Sequence, residues 1–171
     1  TICFIGADRM ALPPNARQAM TLCEAAELAL GGKRIEAGIT ELPKPREGRI
    51  EGLFAGGTLA AEAQVILAAA GREVTSNALT PGIAPLGNAA ADRILDLGAD
   101  EYTQGRPHPM IDPSVRDDEL RSVMADPQVA VVLVDLVIGY GAHADPAAHL
   151  AEAIGERQGG PIVIGSVTGT R

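Results

Sequence analysis

The chain has 171 residues, a formal net charge of −8, and a composition that is 46% hydrophobic but only 2% aromatic. That length suits a single core, and a core of Ala, Val, Leu and Ile suits helices packed on a buried sheet better than a β-sandwich. The negative charge argues against nonspecific nucleic-acid binding, which relies on Lys and Arg displacing counterions from phosphates, and no apolar run reaches the roughly 18 residues of a membrane span.

The start also lacks the basic and apolar regions of a signal peptide, so a soluble, cytoplasmic protein is expected. Cys3 and Cys23 form no CxxC pair and cannot alone supply four zinc ligands, so they are expected to be reduced core residues.

In chain order, Ile2-Cys3-Phe4-Ile5 reads as a short buried strand ended by Gly6, and a helix is predicted from about Thr21 to Leu30, stopped by Gly31-Gly32. The prolines and charges of Leu42-Pro43-Lys44-Pro45-Arg46-Glu47-Gly48 read as a connector. The chain opens inside a strand pattern without an initiator Met. Residues 1–48 are therefore expected to be the end of a preceding domain with its connector, 49–171 the main domain, and the whole a fragment.

From Arg49 the pattern is regular. A strand at 50–54, the turn Ala55-Gly56-Gly57 and a helix from Thr58 to Ala70 form one β-turn-α unit. Strands follow at 73–76 and 93–97, then a polar, turn-rich stretch from Gly98 to Pro113 and a helix from about Asp117 to Met124. The strongest apolar run, Val129 to Val134, leads through Gly139-Tyr140-Gly141 and His143 to a helix beginning near Asp145-Pro146, and a last strand is predicted at 161–164 with a loop from Gly165. Alternating strands and helices imply an α/β, flavodoxin-like three-layer sandwich with a mostly parallel five-stranded sheet. Ligands in such sheets bind beyond the carboxyl ends of the strands.

Two turns there suit an anion. Gly56-Gly57-Thr58 follows a strand and opens a helix, so free N–H groups and the helix dipole could hold phosphate; the alternative is a tight strand-to-helix turn. Gly139-Tyr140-Gly141 takes the same relative place after another strand, with His143 a phosphate contact, a proton carrier or only a capping residue. Neither is a P-loop or a three-glycine dinucleotide fingerprint.

The stretch Gly105-Arg106-Pro107-His108-Pro109-Met110-Ile111-Asp112-Pro113 is stiffened by three prolines. Arg106 can bind phosphate or carboxylate bidentately and His108 can move a proton or act as a nucleophile; the alternative is an ordered surface loop. His108, Asp112 and His143 have ligating chemistry, but their spacing does not establish that they converge, and no metal is expected. Ser76 and Asn77 end a strand where they could reach the mouth or simply form a turn.

Together, Gly52-Leu53-Phe54-Ala55-Gly56-Gly57-Thr58-Leu59, Ser76-Asn77, Asp96-Leu97-Gly98, the Gly105 to Pro113 stretch and Gly139-Tyr140-Gly141-Ala142-His143 resemble the FdrA family, which is related to succinyl-CoA synthetase. The region is similar, more distantly, to the carboxy-terminal domain of the succinyl-CoA synthetase β-subunit. The resemblance implies a CoA-ligase domain over 49–171, with phosphate at Gly56, Gly57, Thr58, Gly139, Tyr140 and Gly141. It implies catalytic roles for Arg106 and His108, and substrate contacts at Ser76, Asn77 and His143.

The relative's phosphorylated histidine lies in a Gly-His-Ala-Gly-type loop that does not occur here, so neither His108 nor His143 inherits that role. The resemblance implies no cofactor in this fragment beyond phosphate or acyl phosphate, with CoA and ATP belonging to a full-length, oligomeric assembly that adds a CoA-binding Rossmann-type domain. The activity it implies is that of an ADP-forming acyl-CoA synthetase-like ligase, or of a component of oxamate carbamoyltransferase in allantoin degradation. The fragment alone is expected to be inactive, and a noncatalytic interface domain is the alternative from another class.

Overall fold

The structure, a computed structural model, describes residues 1–34, 43–155 and 159–170. At the amino end, β1 (Ile2–Cys3) pairs in parallel with β2 (Gln18–Ala19). The strand expected over residues 2–5 is this short because a turn begins at Phe4, whose carbonyl accepts the Ala7 N–H at 3.1 Å. α1 (Leu22–Ala29) starts where the Thr21 hydroxyl accepts the Glu24 N–H at 3.1 Å and the Glu24 carboxylate reaches back to the Met20 N–H at 2.7 Å. It ends at Gly31, whose φ of 74° is the left-handed conformation that glycine adopts without a Cβ clash. Neither cysteine is a core residue: Cys23 lies on the exposed side of α1 and Cys3 is only partly covered.

The main sheet contains β3 (Arg49–Phe54), β4 (Val74–Ser76), β5 (Ala84–Pro85), β6 (Asp92–Asp96), β7 (Val129–Ile138) and β8 (Ile162–Gly169), in the order β5-β4-β6-β3-β7-β8 with every pair parallel. The helices are α2 (Gly57–Ala69), α3 (Asp100–Thr103), α4 (Ser114–Ala125) and α5 (Pro146–Ile154).

The sheet has six strands where five were expected. β5 is two residues long, too short for periodicity to reveal, and Pro85 is tolerated because an edge strand needs no donor on its open side. β8 also runs to Gly169, through the segment expected to be a loop. Its carboxyl half is exposed and carries no apolar pattern, yet it pairs with β7 from Val134↔Gly165 to Ile138↔Gly169.

Side chains alternate across the sheet, so neighbouring residues serve opposite layers. Leu53, Leu95, Val132, Val134 and Leu136 pack with Leu120, Val123 and Met124 of α4 and Leu150 of α5. Phe54, Val74 and Ile94 pack with Ala60 of α2 on the other face. This is the expected three-layer α/β sandwich, and each fully buried Leu, Val or Ile contributes about 1.5–3 kcal/mol of transfer free energy.

The amino end of the sheet is locked by charge. Glu51, wholly buried, accepts from Arg49 at 2.7 Å and Arg93 at 2.6 Å, and Arg49 also reaches Asp126 at 2.6 Å.

The amino-terminal elements rest on the α2 side, where the Leu22 N–H donates to Glu62 at 2.6 Å and Gly6 abuts Thr80. Residues 35–42, which include Leu42 at the start of the expected connector, lie outside the described residues. In its remainder Arg46 donates to the carbonyls of Val129 at 2.7 Å and Asp126 at 3.0 Å. Among the described residues, no helix is long and apolar enough to cross a membrane.

Candidate functional site

β3, β6 and β7 are adjacent and parallel, so the turns that follow them open on one edge of the sheet. β3 ends at Phe54, and Ala55-Gly56-Gly57 swings directly into α2. Gly56 is the N-cap residue of α2 and supplies no side-chain cap, so the N–H groups of the first turn have no intrahelical acceptor. A cavity of about 220 Å³ lies over this helix start, lined by Gly56, Thr58, Leu59, His108, Met110, Val137 and Asp135.

His108 is half-buried and held from two sides. Its Nδ1 accepts the Met110 N–H at 3.2 Å, and its Nε2 lies 2.6 Å from where a Cβ on Gly98 would stand. The next loop is tied to the same stretch, because the His143 N–H donates to the Met110 carbonyl at 2.9 Å. His108 therefore reaches the mouth beside Gly56 and Thr58.

Arg106 does not share that cavity. It is exposed and lines a separate groove of about 280 Å³ with Asp112, Asp117, Asp118 and Arg121 along α4. The physical reason is local: Gly105, at φ 71°, and Pro107 flank Arg106 and turn it outward, whereas Gly98 leaves room for His108 to fold inward.

Ser76 and Asn77, expected as substrate contacts, are committed within the fold. The Ser76 hydroxyl is buried between Gln64 Nε2 at 3.0 Å and the Ala78 backbone. Asn77 brackets Asp96, accepting its N–H at 2.9 Å and donating to its carbonyl at 3.0 Å, and also donates to Glu101 at 2.7 Å.

Gly139, Tyr140 and Gly141 lie on the expected edge but do not open a helix. Four residues separate Gly141 from α5, whose first-turn Ala148 N–H is already capped by Asp145 at 3.0 Å. Anion capture by that helix start is thus blocked by a carboxylate. Gly139, Tyr140 and His143 instead line their own cavity of about 500 Å³, with Tyr140 wholly exposed. His143 Nδ1 accepts the Asp145 N–H at 3.2 Å, and its ring meets that of His149 edge-on at 5.6 Å.

A family model described as CoA-ligase matches residues 53–171. The chain belongs to the CoA-ligase family. A curated relative, the Escherichia coli (strain K12) protein YahF, described as uncharacterized, is 38% identical over 117 residues. That alignment covers 66% of this chain but only 22% of YahF. The match gives the fold and the succinyl-CoA synthetase-like domain type.

The candidate site of this CoA-ligase domain is also bordered by residues that the motif reading missed. Asp135, 2% exposed on β7, accepts the Ala55 N–H at 2.7 Å. Arg116 of α4, itself buried, donates to the Asp135 carbonyl at 2.6 Å and stands 3.7 Å from its carboxylate. Burial pushes the Asp135 carboxyl above the usual carboxylate range, against the stabilising Ala55 N–H and Arg116 charge. Burial likewise lowers Arg116 from the usual guanidinium range.

Asp96 accepts the Gly98 N–H at 2.9 Å and lies 2.9 Å from the place of a Cβ on Gly57. The signal for Asp135 was one acid inside the apolar run Val129–Ile138, a place where an unpaired charge is costly. Away from the mouth, His149 Nε2 meets both carboxylate oxygens of Asp117 at 3.0 Å and joins α5 to α4. Among the described residues, no cluster of His, Cys, Asp and Glu has a metal-binding arrangement.

Proposed function

We propose that this domain binds phosphate, or the phosphoryl end of an acyl phosphate, at Gly56, Gly57 and Thr58, as the CoA-ligase part of an FdrA-like, acyl-CoA synthetase-related protein. The observation that carries the reading is the uncapped start of α2 opening into the cavity that holds His108. Main-chain N–H groups and the helix dipole favour an anion there, and glycine lets it approach the backbone. His108 supplies a hydrogen bond or a proton to the oxygen on which charge develops.

CoA and ATP would be held by the rest of the assembly, since the residues here include neither a P-loop nor a dinucleotide fingerprint. A CoA-binding Rossmann-type domain of the same or a partner chain would cover this edge of the sheet, where Tyr140 stands exposed.

A second reading, a component of oxamate carbamoyltransferase, gains from the cavity wall. Leu59, Met110 and Val137 provide no cation for the carboxylate tail of succinyl phosphate and suit the uncharged carbamoyl group of carbamoyl phosphate, while the oxamate carboxylate would have to be held outside this wall. Amide-resolved titration of the domain with phosphate tests the shared part: Gly57, Thr58 and Leu59 should shift together and saturably. No response at those amides would leave an interface role instead. Assays of the full-length protein, with CoA plus ATP against oxamate plus carbamoyl phosphate, separate the two transfer readings.

A further inference from the structure

We infer that Asp135 is the positioning residue of the anion turn: its buried carboxylate, anchored by Arg116, holds the Ala55 N–H and thereby presents the N–H groups of Gly57 and Thr58 to the ligand. The inference rests on the phosphate reading above and adds the part of the fold that makes the turn rigid.

Glycine-rich turns recognise anions poorly if they are free to rearrange, because ordering them on binding opposes association. Gly56 and Gly57 bring that freedom here, and no side chain caps the helix start. What restrains the turn is a contact spanning 80 residues: Asp135 Oδ1 accepts the Ala55 N–H at 2.7 Å. The Leu97 N–H donates to the Phe54 carbonyl at 2.8 Å one residue earlier, so the exit of β3 is held from both neighbouring strands.

A carboxylate is an unusual choice beneath an anion site, since its charge opposes the ligand. Two features offset that cost. Arg116, from the opposite layer, reaches the main-chain carbonyl of Asp135 at 2.6 Å and lies 3.7 Å from its carboxylate, so the pair is close to neutral as a unit. The Asp135 oxygen is also spent on the Ala55 N–H rather than aimed at the helix amides. The groups near Asp135 are Arg116 from α4, Asp96 from β6 and His108 from the loop.

The test uses sulfate, whose charge is constant over the working range, and the ¹⁵N-labelled domain. In the wild type, the Ala55 amide should shift along the same binding curve as Gly57 and Thr58, because the ligand pulls on a turn whose other end it holds. Asp135→Asn retains an acceptor and should keep sulfate affinity within about threefold, whereas Asp135→Leu should weaken it about tenfold or more while moving the Ala55 amide in the free protein. If Asp135→Leu does not fold, the wild-type titration still decides the matter. A static Ala55 amide beside responding Gly57 and Thr58, or a folded Asp135→Leu domain with unchanged affinity, overturns the positioning role alone. Absence of any response at Gly57, Thr58 and Ala55 overturns the phosphate reading, and the inference with it.

Discussion

His108 Nε2 stands 2.6 Å from the place a Cβ would occupy on Gly98, and the Ala55 carbonyl oxygen stands at the same distance on that glycine. The imidazole can enter the mouth only because residue 98 has no side chain. Gly98→Ala should therefore cost about 1–3 kcal/mol, the range for forcing a methyl into packed surroundings, since the imidazole can swing away but the Ala55 backbone cannot. Urea unfolding would read the loss, and phosphate titration should show weaker binding in the folded fraction.

Two residues apart in sequence, His108 and Arg106 should separate in function. His108→Gln, retaining a hydrogen-bonding side chain of different shape, should weaken phosphate binding several-fold, as expected for one lost hydrogen bond to a charged group. Arg106→Lys should leave it unchanged within about twofold, because a surface cation in another groove is screened by solvent. Calorimetric titration of both variants checks this, and a large loss in Arg106→Lys alone would reverse the assignment.

Gly57 offers a test in which stability and binding part company. A Cβ there would lie 2.9 Å from Asp96 Oδ2, close enough to require a small shift, while alanine is the better helix former by about 0.5–1 kcal/mol. Gly57→Ala should thus change the unfolding midpoint little and yet weaken phosphate binding several-fold, because the methyl displaces the Asp96 carboxylate beside the helix-start amides. Equal affinity in the folded variant would remove Gly57 from the site.

Stability should depend on pH through Asp135. Its carboxyl is raised in the folded state, so its contribution is fully present below the ordinary carboxylate range and is lost as pH rises through the elevated value. Asp112 and Asp126 are shifted downward by hydrogen bonds from Ser114, and from Gln128 and Arg49, so they act in the opposite sense: their contribution is present above the ordinary range and lost as pH falls through the lowered values. Asp135→Asn should remove the first component, leaving a variant whose stability falls less than the wild type's as pH rises. Urea midpoints measured between about pH 4 and pH 8 would show this, and parallel profiles would contradict it.

At the other end of the sheet, Glu51→Ala should cost about 3 kcal/mol, the low end for breaking a buried ion pair, because Arg49 and Arg93 both reach solvent and keep Asp126 and Glu119 as partners. Phosphate binding in the folded fraction should not change, since this network lies at the amino ends of β3 and β6. Thermal unfolding together with titration distinguishes the two effects.

Local pattern determined five of the six strands of the main sheet, the longer helices and the edge on which function was sought. Apolar runs closed by glycine at Gly56, Gly98 and Gly139 define parallel strands, and parallel strands with helical crossovers must place those turns on one edge. The start of α2 was legible for the same reason, because strand, glycine pair and helix are contiguous in the chain.

Tertiary structure decided which side chains meet at that edge. A proline-stiffened loop has no periodicity from which the directions of Arg106 and His108 can be read; the space over Gly98 and the tie between Met110 and His143 choose them. Ser76 and Asn77 were turned from candidate ligands into structural residues by Gln64 and Asp96, and β8 was extended past its apolar core by hydrogen bonds to β7. Asp135 is a lone acid in an apolar strand, and only the fold brings the Ala55 N–H and Arg116 to it. Such pairings depend on residues tens of positions apart, and propensity and spacing act only over a few turns of helix or strand.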